Sequence, residues 1–541
     1  MASKKLSTRT SAYISGLALF IALAAIGVVS ELFVNKRLDL TADKQFTLSE
    51  AAKKTLAQLP DLVRIKVVMS KDLPTQFIQI RTRIMDLLHE FEAQSDGKLQ
   101  LSVVDPGDDE QKRKEATALG IQEVQLQEQS NEGLQIKKGF FGLAMMYGDK
   151  KEVIPILQNL ESFEYDLVVK LKKLTGNVKT IGLIEGSGED KFSFALPEVP
   201  PRTAVGFDEN FRTLKAETDK LYKVEKLDPL NAEIGDNIDL LWVVAPKRLS
   251  EREKYFIDQH LMKGKSVIFM APGIDVNLSQ GINGSATQNG YEDLLSHYGI
   301  SVKKNVILEY RQYQFVRFGQ SFFPSPYPYW IIEGMEGLSG KNPITSKLGQ
   351  VSFPWTSSIE LDSARKDSAN TEILVESSAE SWEETGSFIL MPRDMKEYLP
   401  VNPKKHPLVV MRSGKFTSFY DNHPIPTDSA NPIDTSKTLR HSQKEGRILV
   451  FPNAIFASDF YVGYTNSLGN LHLVLNSLDQ LALDPDLISI RSREISEAPI
   501  EESKKHLKTP LLLFNMLTAP LLLLIAGIVM FLRRRNKEAS A

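Results

Sequence analysis

Two long apolar segments lie near the ends of the chain, and the sequence between them is mostly polar with short periodic patterns. Residues 509–532 contain no charged side chain. A helix over 511–532 would be about 33 Å long, enough to cross the roughly 30 Å hydrocarbon core of a bilayer. Residues 10–30 form a second uncharged segment. We therefore predict transmembrane helices at 11–34 and 509–532.

The first apolar segment has a second interpretation, as a cleaved signal peptide. Ala22-Leu23-Ala24 has the small-x-small form of a cleavage site. The apolar run continues through Val29, beyond the about 7 to 15 residues usual in signal peptides, which favours an uncleaved anchor. Basic residues flank the outer end of both segments, so the positive-inside rule predicts that both termini are cytoplasmic. The chain would then cross a bacterial inner membrane twice, with a periplasmic ectodomain.

The residues after the first apolar segment predict an α/β domain, 35–157. Residues 62–70 alternate between apolar and polar side chains like a strand, and 98–106 form a similar strand closed by a proline. Between these strands, apolar residues recur every three or four positions, as on one face of a helix. Residues 134–157 predict a hairpin that turns at Gly148.

Polar residues at the expected spacing predict where three helices begin. Thr47 and Glu50 predict a capping box for a short helix, and Asn159 is predicted to open a longer one. Ser250 and Glu253 have the same capping-box spacing in front of an apolar pattern.

A second α/β domain is predicted from residues 158–276 and 446–500, with a loop-rich insertion, 277–445, between its two parts. The insertion is rich in Asn, Ser, Gly and Pro. Apolar runs predict the strands of this domain at 179–184, 222–227, 238–245, 266–271 and 447–453. Helices that alternate with nearly continuous apolar strands favour a parallel sheet covered on both faces. The predicted fold class is therefore α/β, with parallel or mixed sheets covered by helices.

Composition excludes several function classes. The formal net charge is −3 and the region between the apolar segments is mildly acidic, so no nucleic-acid partner is predicted. The chain has no cysteine, which removes disulfides, zinc–cysteine sites and thiol nucleophiles. The eight histidines never fall within five residues of one another, so the usual metal-binding spacings are absent. We predict neither a metal nor a cofactor.

Five stretches, in this order between the two apolar segments, resemble the GldG-type auxiliary component of gliding-motility ABC transporters. They are RLDLTADKQFTLSE (37–50), GLAMMYGDKKEVIP (142–155), ESFEYDLVVKLKKLTG (161–176), IGLIEGSGE (181–189) and GNLHLVLNSLDQLALDPDLISIRSR (469–493). The resemblance implies a glutamine-amidotransferase-like or flavodoxin-like half of the ectodomain. It also implies a separate permease subunit and a separate ATPase subunit as partners. KGKSVIFMAP (263–272) departs from the pattern, in which a Gly-Gly turn and an Asp-Pro end are expected.

Catalytic motifs are absent from the sequence. Amidotransferases need a cysteine nucleophile beside a histidine, and this chain has no cysteine. Residues 264–266 read Gly-Lys-Ser but do not form a phosphate loop, because Gln259 replaces the leading glycine and a helix precedes a strand. No Gly-x-Ser-x-Gly nucleophile elbow occurs. We therefore predict that the chain is not an enzyme.

The loop EGSGE is the strongest candidate for a ligand site. It consists of Glu185, Gly186, Ser187, Gly188 and Glu189, directly after a predicted strand. Ligands of open α/β sheets bind at the carboxyl ends of strands, and the two glutamates would suit a cationic or hydroxylated group. In the alternative interpretation, the glycines only satisfy turn geometry and the glutamates stay solvated.

An aromatic-rich segment, 310–330, is a second candidate. Tyr327, Tyr329 and Trp330 lie there among prolines, where exposed aromatic rings would suit an envelope protein or a glycan. The alternative is that these rings pack over the domain and form a satellite core.

Two function classes follow. In the first, the chain is a non-catalytic auxiliary subunit of an ABC transporter, and its ectodomain contacts cargo or an envelope partner. Its membrane helices would contact a permease through Ser15, Gly16, Asn515 and Pro520. In the second, the ectodomain belongs to a membrane-tethered periplasmic enzyme or glycan-binding protein that acts alone.

Overall fold

A computed structural model describes most of the region between the two apolar segments. The described residues are 47–130, 133–157, 163–176, 178–186, 188–196, 202–278, 281–317, 323–362, 369–427 and 432–482, together with Ile528. Ile528 belongs to a separate compact unit, Glu494–Ala541, and the others lie within the unit Met1–Arg493. Among these residues no helix has the length and apolar character needed to cross a bilayer. The predicted helix contacts Ser15, Gly16, Asn515 and Pro520 lie outside the described residues and stay predictions.

The described chain up to residue 174 alternates helices and strands. Its helices are α1 (Glu50–Ala57), α2 (Thr75–Ala93), α3 (Glu110–Leu119) and α4 (Phe163–Leu174). Its strands are β1 (Val63–Met69), β2 (Leu99–Val104), β3 (Val124–Ser130), β4 (Gly133–Gly139), β5 (Phe141–Tyr147) and β6 (Lys150–Ile154). The strands predicted at 62–70 and 98–106 and the hairpin turn at Gly148 are confirmed.

Four of these strands form the first sheet, in the order β2-β1-β5-β6. Strand β1 pairs in parallel with β2 and antiparallel with β5. Alternate residues of a strand face the same side, so β1 contributes Val63, Ile65 and Val67 to one core. Helix α2 covers that side with Leu88 and Phe91.

The capping box predicted from Thr47 and Glu50 is wrong. Helix α1 is capped by Ser49, whose Oγ accepts a hydrogen bond from the backbone N–H of Ala52 at 3.1 Å. The backbone N–H of Ser49 donates to Glu164 of helix α4 at 2.8 Å. A local cap at Ser49 and a long-range contact with helix α4 therefore both hold the start of the helix, and only the long-range contact is beyond the reach of spacing within the sequence. Asn159, the predicted start of α4, lies outside the described residues.

The described chain from residue 178 onward contains the larger sheet. Its helices are α5 (Phe207–Asn210), α6 (Arg212–Leu221), α7 (Glu251–Met262), α8 (Glu292–His297), α9 (Asp459–Thr465) and α10 (Leu468–Ala482). Its strands are β7 (Thr180–Ile184), β8 (Ser193–Leu196), β9 (Arg202–Val205), β10 (Lys223–Lys226), β11 (Leu240–Val244), β12 (Ser266–Met270), β13 (Ile274–Asn277), β14 (Asn283–Ala286), β15 (Ile300–Val302), β16 (Asn305–Leu308), β17 (Tyr313–Val316), β18 (Ser325–Gly334), β19 (Gln350–Pro354), β20 (Ile359–Leu361), β21 (Asn370–Glu376), β22 (Trp382–Thr385), β23 (Phe388–Ile389), β24 (Pro407–Gly414) and β25 (Gly446–Phe451).

Seven of these strands form the central sheet, in the order β10-β7-β11-β12-β25-β24-β21. The first five strands run parallel. Numbered one to five by their position along the chain, they stand in the sheet in the order 2-1-3-4-5. Strand β24 pairs antiparallel with β25, and the edge strand β21 pairs antiparallel with β24. After β10 the chain crosses back to the other side of β7, so the order of the strands reverses between β7 and β11.

Helices cover both faces of the central sheet. Leu241 and Val243 of β11 pack in one core with Phe256 of helix α7. Trp242, which points to the opposite face, contacts Phe207 of helix α5 with ring centroids 5.0 Å apart. Burial on both sides explains why this strand is an unbroken apolar run.

Residues 277–445, predicted as a loop-rich insertion, also supply the two antiparallel strands β21 and β24. Strand β24 is almost entirely buried between β21 and β25. Other strands of this region form smaller sheets, among them β17-β18-β19 and β13-β14-β23. The predicted division into domains stays a prediction.

The helix start predicted at Ser250 and Glu253 is confirmed. Ser250 Oγ accepts a hydrogen bond from the Glu253 backbone N–H at 3.2 Å. The Ser250 backbone N–H donates to the Glu253 carboxylate at 2.8 Å. Helix α7 ends at Met262, two residues before Gly264, which has a φ of +77°.

Candidate functional site

Glu185, the first residue after β7, turns its carboxylate into the protein. The side chain is 5% exposed. Its Oε2 accepts a hydrogen bond from the backbone N–H of Phe207 at 2.5 Å, at the start of helix α5. Its Oε1 accepts from Lys226 Nζ at 3.1 Å and lies 3.2 Å from Lys191 Nζ. The carboxylate is therefore fully engaged by groups of its own chain.

The electrostatic environment keeps Glu185 ionised. Burial acts to raise the pKa of its carboxyl group, but three partners outweigh it. The Phe207 N–H and the ammonium groups of Lys226 and Lys191 favour the charged form, so the pKa of Glu185 is lowered. The result is a fixed internal anion that joins β7 to helix α5.

The rest of the EGSGE loop forms a tight turn. Gly186 and Gly188 have φ values of +80° and +54°, which suit glycine. A Cβ atom at Gly186 would lie 2.6 Å from the carbonyl oxygen of Asp190, so no other residue fits. Glu189 is exposed. Ser187 lies outside the described residues. Turn geometry accounts for the glycines, and Glu185 is buried and paired instead of solvated.

A cleft of about 210 Å³ opens beside this loop, at the carboxyl ends of β11, β12 and β25. The residues that follow these strands, Ala245, Pro272 and Asn453, lie in its wall. Open α/β sheets bind ligands at this edge, close to the point where the strand order reverses. The cleft is therefore the candidate site of the described residues.

Two residues of the cleft wall have a left-handed backbone although they are not glycine. Ala245 has a φ of 40° and Trp355 a φ of 45°. This conformation costs roughly 1–2 kcal/mol for a residue with a Cβ and persists only where the surroundings impose it. Such strain is concentrated at ligand-binding and catalytic sites.

Two buried asparagines hold these strained positions. The amide of Asn289 donates to the carbonyl of Pro246, the residue after Ala245, at 3.0 Å. The amide of Asn453 donates to the carbonyl of Pro354, the residue before Trp355, at 2.5 Å. Each asparagine is at most 5% exposed, so both hydrogen bonds are shielded from water.

Opposite charges stand at the mouth of the cleft. Lys247 follows β11 and Asp275 lies on β13, and both side chains are exposed. Desolvation raises the pKa of the Asp275 carboxyl group, and the positive charge of Lys247 and a hydrogen bond from the Val276 backbone N–H act in the opposite direction. Both residues line the cleft.

The aromatic residues predicted as a partner surface are buried. Tyr327 and Tyr329 are 0% exposed and Trp330 is 2% exposed. Trp330 packs against Trp355 with ring centroids 5.2 Å apart, and Trp355 Nε1 donates to the Tyr327 hydroxyl at 2.8 Å. Tyr461 of helix α9 closes the other side of Trp330. A partner surface at these three residues is therefore wrong, and the alternative of a satellite core describes them correctly.

Sequence reasoning missed the cleft itself. Its residues come from separate segments, and none of them belongs to a recognisable motif. One feature of the sequence could have indicated the cleft. Ligands bind after parallel strands, and Ala245 and Asn453 follow predicted strands just as Glu185 does. In the described part of the chain, no group of three or more His, Asp or Glu side chains is placed to hold a metal ion.

The fold and the cleft define a mixed α/β protein with a crevice at the carboxyl edge of a largely parallel sheet. The chain belongs to the family of auxiliary ABC-transporter components described as an ABC-type uncharacterized transport system, whose model matches residues 178–477. A second model, Domain of unknown function (DUF7088), matches residues 42–146.

Individual relatives add little about function. An uncharacterized protein of Borreliella burgdorferi strain B31 is 24% identical over 514 residues, which cover 92% of this chain and 94% of the relative. Among solved structures, the mmIFT52 N-terminal domain is similar to 56% of this chain and 97% of its own length, at 12% identity. The TM-score of that match is 0.33, too low to establish a shared fold.

Proposed function

We propose that the chain is a non-catalytic, membrane-anchored auxiliary subunit of an ABC transporter of the gliding-motility type. Separate permease and ATPase subunits supply the transport path and the energy. The ectodomain lies in the periplasm and contacts cargo or an envelope partner. The observation that carries this proposal is the family match over residues 178–477, which includes every strand of the central sheet.

The residue at the end of β11 supports a non-catalytic role. A nucleophile elbow places a strained residue on a sharp turn between a strand and a helix, so that its side chain meets the substrate. Ala245 directly follows β11 with a left-handed φ of 40°, but residues 246–250 separate it from helix α7, so the turn is not an elbow. A methyl group cannot act as a nucleophile, so this strained position carries no reactive atom.

The strand order supports the part of the proposal that concerns the fold. Five parallel strands in the order second, first, third, fourth, fifth correspond to the flavodoxin-like arrangement. We propose that residues 178–482 form a flavodoxin-like or glutamine-amidotransferase-like half with two added antiparallel strands. In this proposal the segments 11–34 and 509–532 anchor it from both ends, with both termini in the cytoplasm.

Co-purification tests the proposed function. The full-length protein, tagged at its C-terminus and expressed from its own locus, is extracted in mild detergent and captured on the tag. The proposal predicts a permease and an ABC ATPase in constant ratio to the tagged chain. A monomer that hydrolyses a substrate or binds a glycan by itself would favour the alternative of a periplasmic enzyme or glycan-binding protein. A tagged unrelated inner-membrane protein is the control for non-specific capture.

A further inference from the structure

The cleft has a charge arrangement that the role as a transporter subunit does not explain. Neither Lys247 nor Asp275 forms a salt bridge with a described residue, although Lys247 acts electrostatically on Asp275, whose carboxylate also accepts a hydrogen bond from the backbone N–H of Val276. Two other charged pairs lie near this edge: Lys191 with Glu185 at 3.2 Å and Arg248 with Asp190 at 3.4 Å. Among the described residues, the cleft therefore presents one cation and one anion that have no salt-bridge partner.

Lys247 is also fixed in position at its backbone. Its N–H donates to the carbonyl of Asp190, the residue after the EGSGE loop, at 2.6 Å. Asp275 is held in a regular hairpin, in which β13 pairs with β14 and Asp275 lies opposite Ser285. The backbones that carry the two charges are therefore each held by hydrogen bonds, Lys247 in the loop after β11 and Asp275 on strand β13.

Part of the cleft wall is aromatic. Phe192 and Trp355 are at most 7% exposed, and both line the cleft together with the two charged residues. A volume of about 210 Å³ corresponds to about seven water molecules at about 30 Å³ each. The space suits one small organic molecule.

The charges narrow the class of ligand. A ligand whose only charge is a carboxylate would be attracted by Lys247 and repelled by Asp275. A ligand whose only charge is an ammonium group would be attracted by Asp275 and repelled by Lys247. A neutral sugar would remove water from both charged side chains and would give neither of them an oppositely charged partner. A ligand with both groups pairs with each charge and places its remaining atoms against the aromatic part of the wall.

We propose that this cleft binds a small zwitterion of the amino-acid class. Asp275 receives the ammonium group, Lys247 receives the carboxylate, and the side chain of the ligand packs on Phe192 and Trp355. The strained backbone at Trp355 positions its ring in the wall and is held there by Asn453.

Calorimetric titration of the full-length protein in mild detergent tests this inference. Each proteinogenic amino acid is titrated separately, and those that bind are compared with their N-acetyl and C-amide derivatives. We expect at least one amino acid with an apolar or aromatic side chain to bind. Removing either charge from the ligand should weaken binding about tenfold or more, because each group loses a charge-assisted hydrogen bond.

Protein variants give an independent readout. Lys247→Met and Asp275→Asn should each weaken binding of the same amino acid about tenfold or more. Lys223→Met and Glu225→Gln remove a comparable pair of charges on the edge strand β10, 3.1 Å apart, and should leave the affinity unchanged. Both cleft residues are exposed, so the variants should fold, and circular dichroism verifies this.

Three results would overturn the inference. They are the absence of binding by every amino acid, equal binding of the charge-blocked derivatives, and binding of a neutral sugar that both cleft variants retain. Co-purification of the permease and the ATPase is measured on the same preparations. We expect Lys247→Met and Asp275→Asn to leave it intact, so a failure of ligand binding is distinct from a failure of the proposed function.

Discussion

Glu185→Ala tests whether the loop after β7 is a structural element. The substitution removes a buried carboxylate that accepts the Phe207 N–H at 2.5 Å and pairs with Lys226 and Lys191. If the carboxylate joins β7 to helix α5, its loss destabilises the central sheet. If it instead serves a ligand, its loss has little effect on the stability of the protein.

The size of the effect follows from the burial of each partner. The Phe207 N–H is buried and loses a charged acceptor, which costs about 1.5–3 kcal/mol. The side chains of Lys226 and Lys191 are 44% and 35% exposed, so water and salt screen both ion pairs. Each pair then contributes only about 0.2–1 kcal/mol. We expect Glu185→Ala to lower the free energy of unfolding by about 2–5 kcal/mol.

Urea unfolding followed by tryptophan fluorescence measures this loss. Trp242 is a suitable probe because its ring contacts Phe207, the residue that loses its acceptor. Glu189→Ala is the matched control in the same loop, and its exposed side chain predicts a change within about 0.5 kcal/mol. A Glu185→Ala protein as stable as the Glu189→Ala control would refute the structural role.

The dependence on pH gives a second check of the same substitution. The pKa of Glu185 is lower in the folded protein than in the unfolded chain, so folding favours its ionised form. Its contribution is complete above the ordinary carboxyl pKa of 4.5 and is lost as the pH falls below that value. The difference between wild type and Glu185→Ala should therefore shrink between pH 5 and pH 3.

Three further substitutions have defined outcomes. Burial and the neighbouring Glu309 raise the pKa of Glu333 to about 9, so its folded form keeps a proton that the unfolded chain releases above pH 4.5. The free energy of unfolding should therefore fall by up to about 1.4 kcal/mol per pH unit between pH 4.5 and about pH 9. In Glu333→Gln this dependence on pH should be absent, which urea midpoints at pH 5, 7 and 8.5 measure. Ser250→Ala removes the cap of helix α7 and should cost about 1 kcal/mol in urea unfolding, whereas no change would contradict the capping geometry. Ala245→Gly relieves a left-handed backbone and should raise the unfolding free energy by about 0.5–1 kcal/mol, and a loss of stability would show that the methyl group matters more than the strain.

The parallel strands of the central sheet were predictable because a strand that is buried on both faces is an unbroken apolar run in the sequence. Strand β11 reads Leu-Leu-Trp-Val-Val, and every one of its residues is buried. Strand β24 has an apolar run too, but it stands among Asn, Ser, Gly and Pro residues that predict loops. Its place in the sheet depends on pairing with β25, about 35 residues further along, and local pattern does not encode that partner.

For the aromatic segment, the sequence could not show whether the rings are exposed. The apolar character of Tyr327 and Trp330 was evident, but their exposure depends on which residues pack against them. Trp330 contacts Trp355 and Tyr461, which are distant in the chain. The same packing fixes Trp355 in the cleft wall. Composition identified an unusual cluster of rings, and only the tertiary contacts show that it is a core.

The loop after β7 was identified correctly as the end of a strand at the carboxyl edge. Its polar residues suggested a ligand because the sequence does not show where a carboxylate points. Glu185 turns inward since the Phe207 N–H and two lysines lie there. The open cleft lies at the same edge of the sheet, at the carboxyl ends of the neighbouring strands β11, β12 and β25.

Native mass spectrometry of the complex extracted from its own membrane tests the central claim most directly. The account predicts a single assembly that contains this chain, a permease and an ABC ATPase in a fixed ratio, with no free chain in excess. Detection of this chain only as a monomer or homo-oligomer, in a detergent that preserves other ABC transporters from the same membrane, would contradict it.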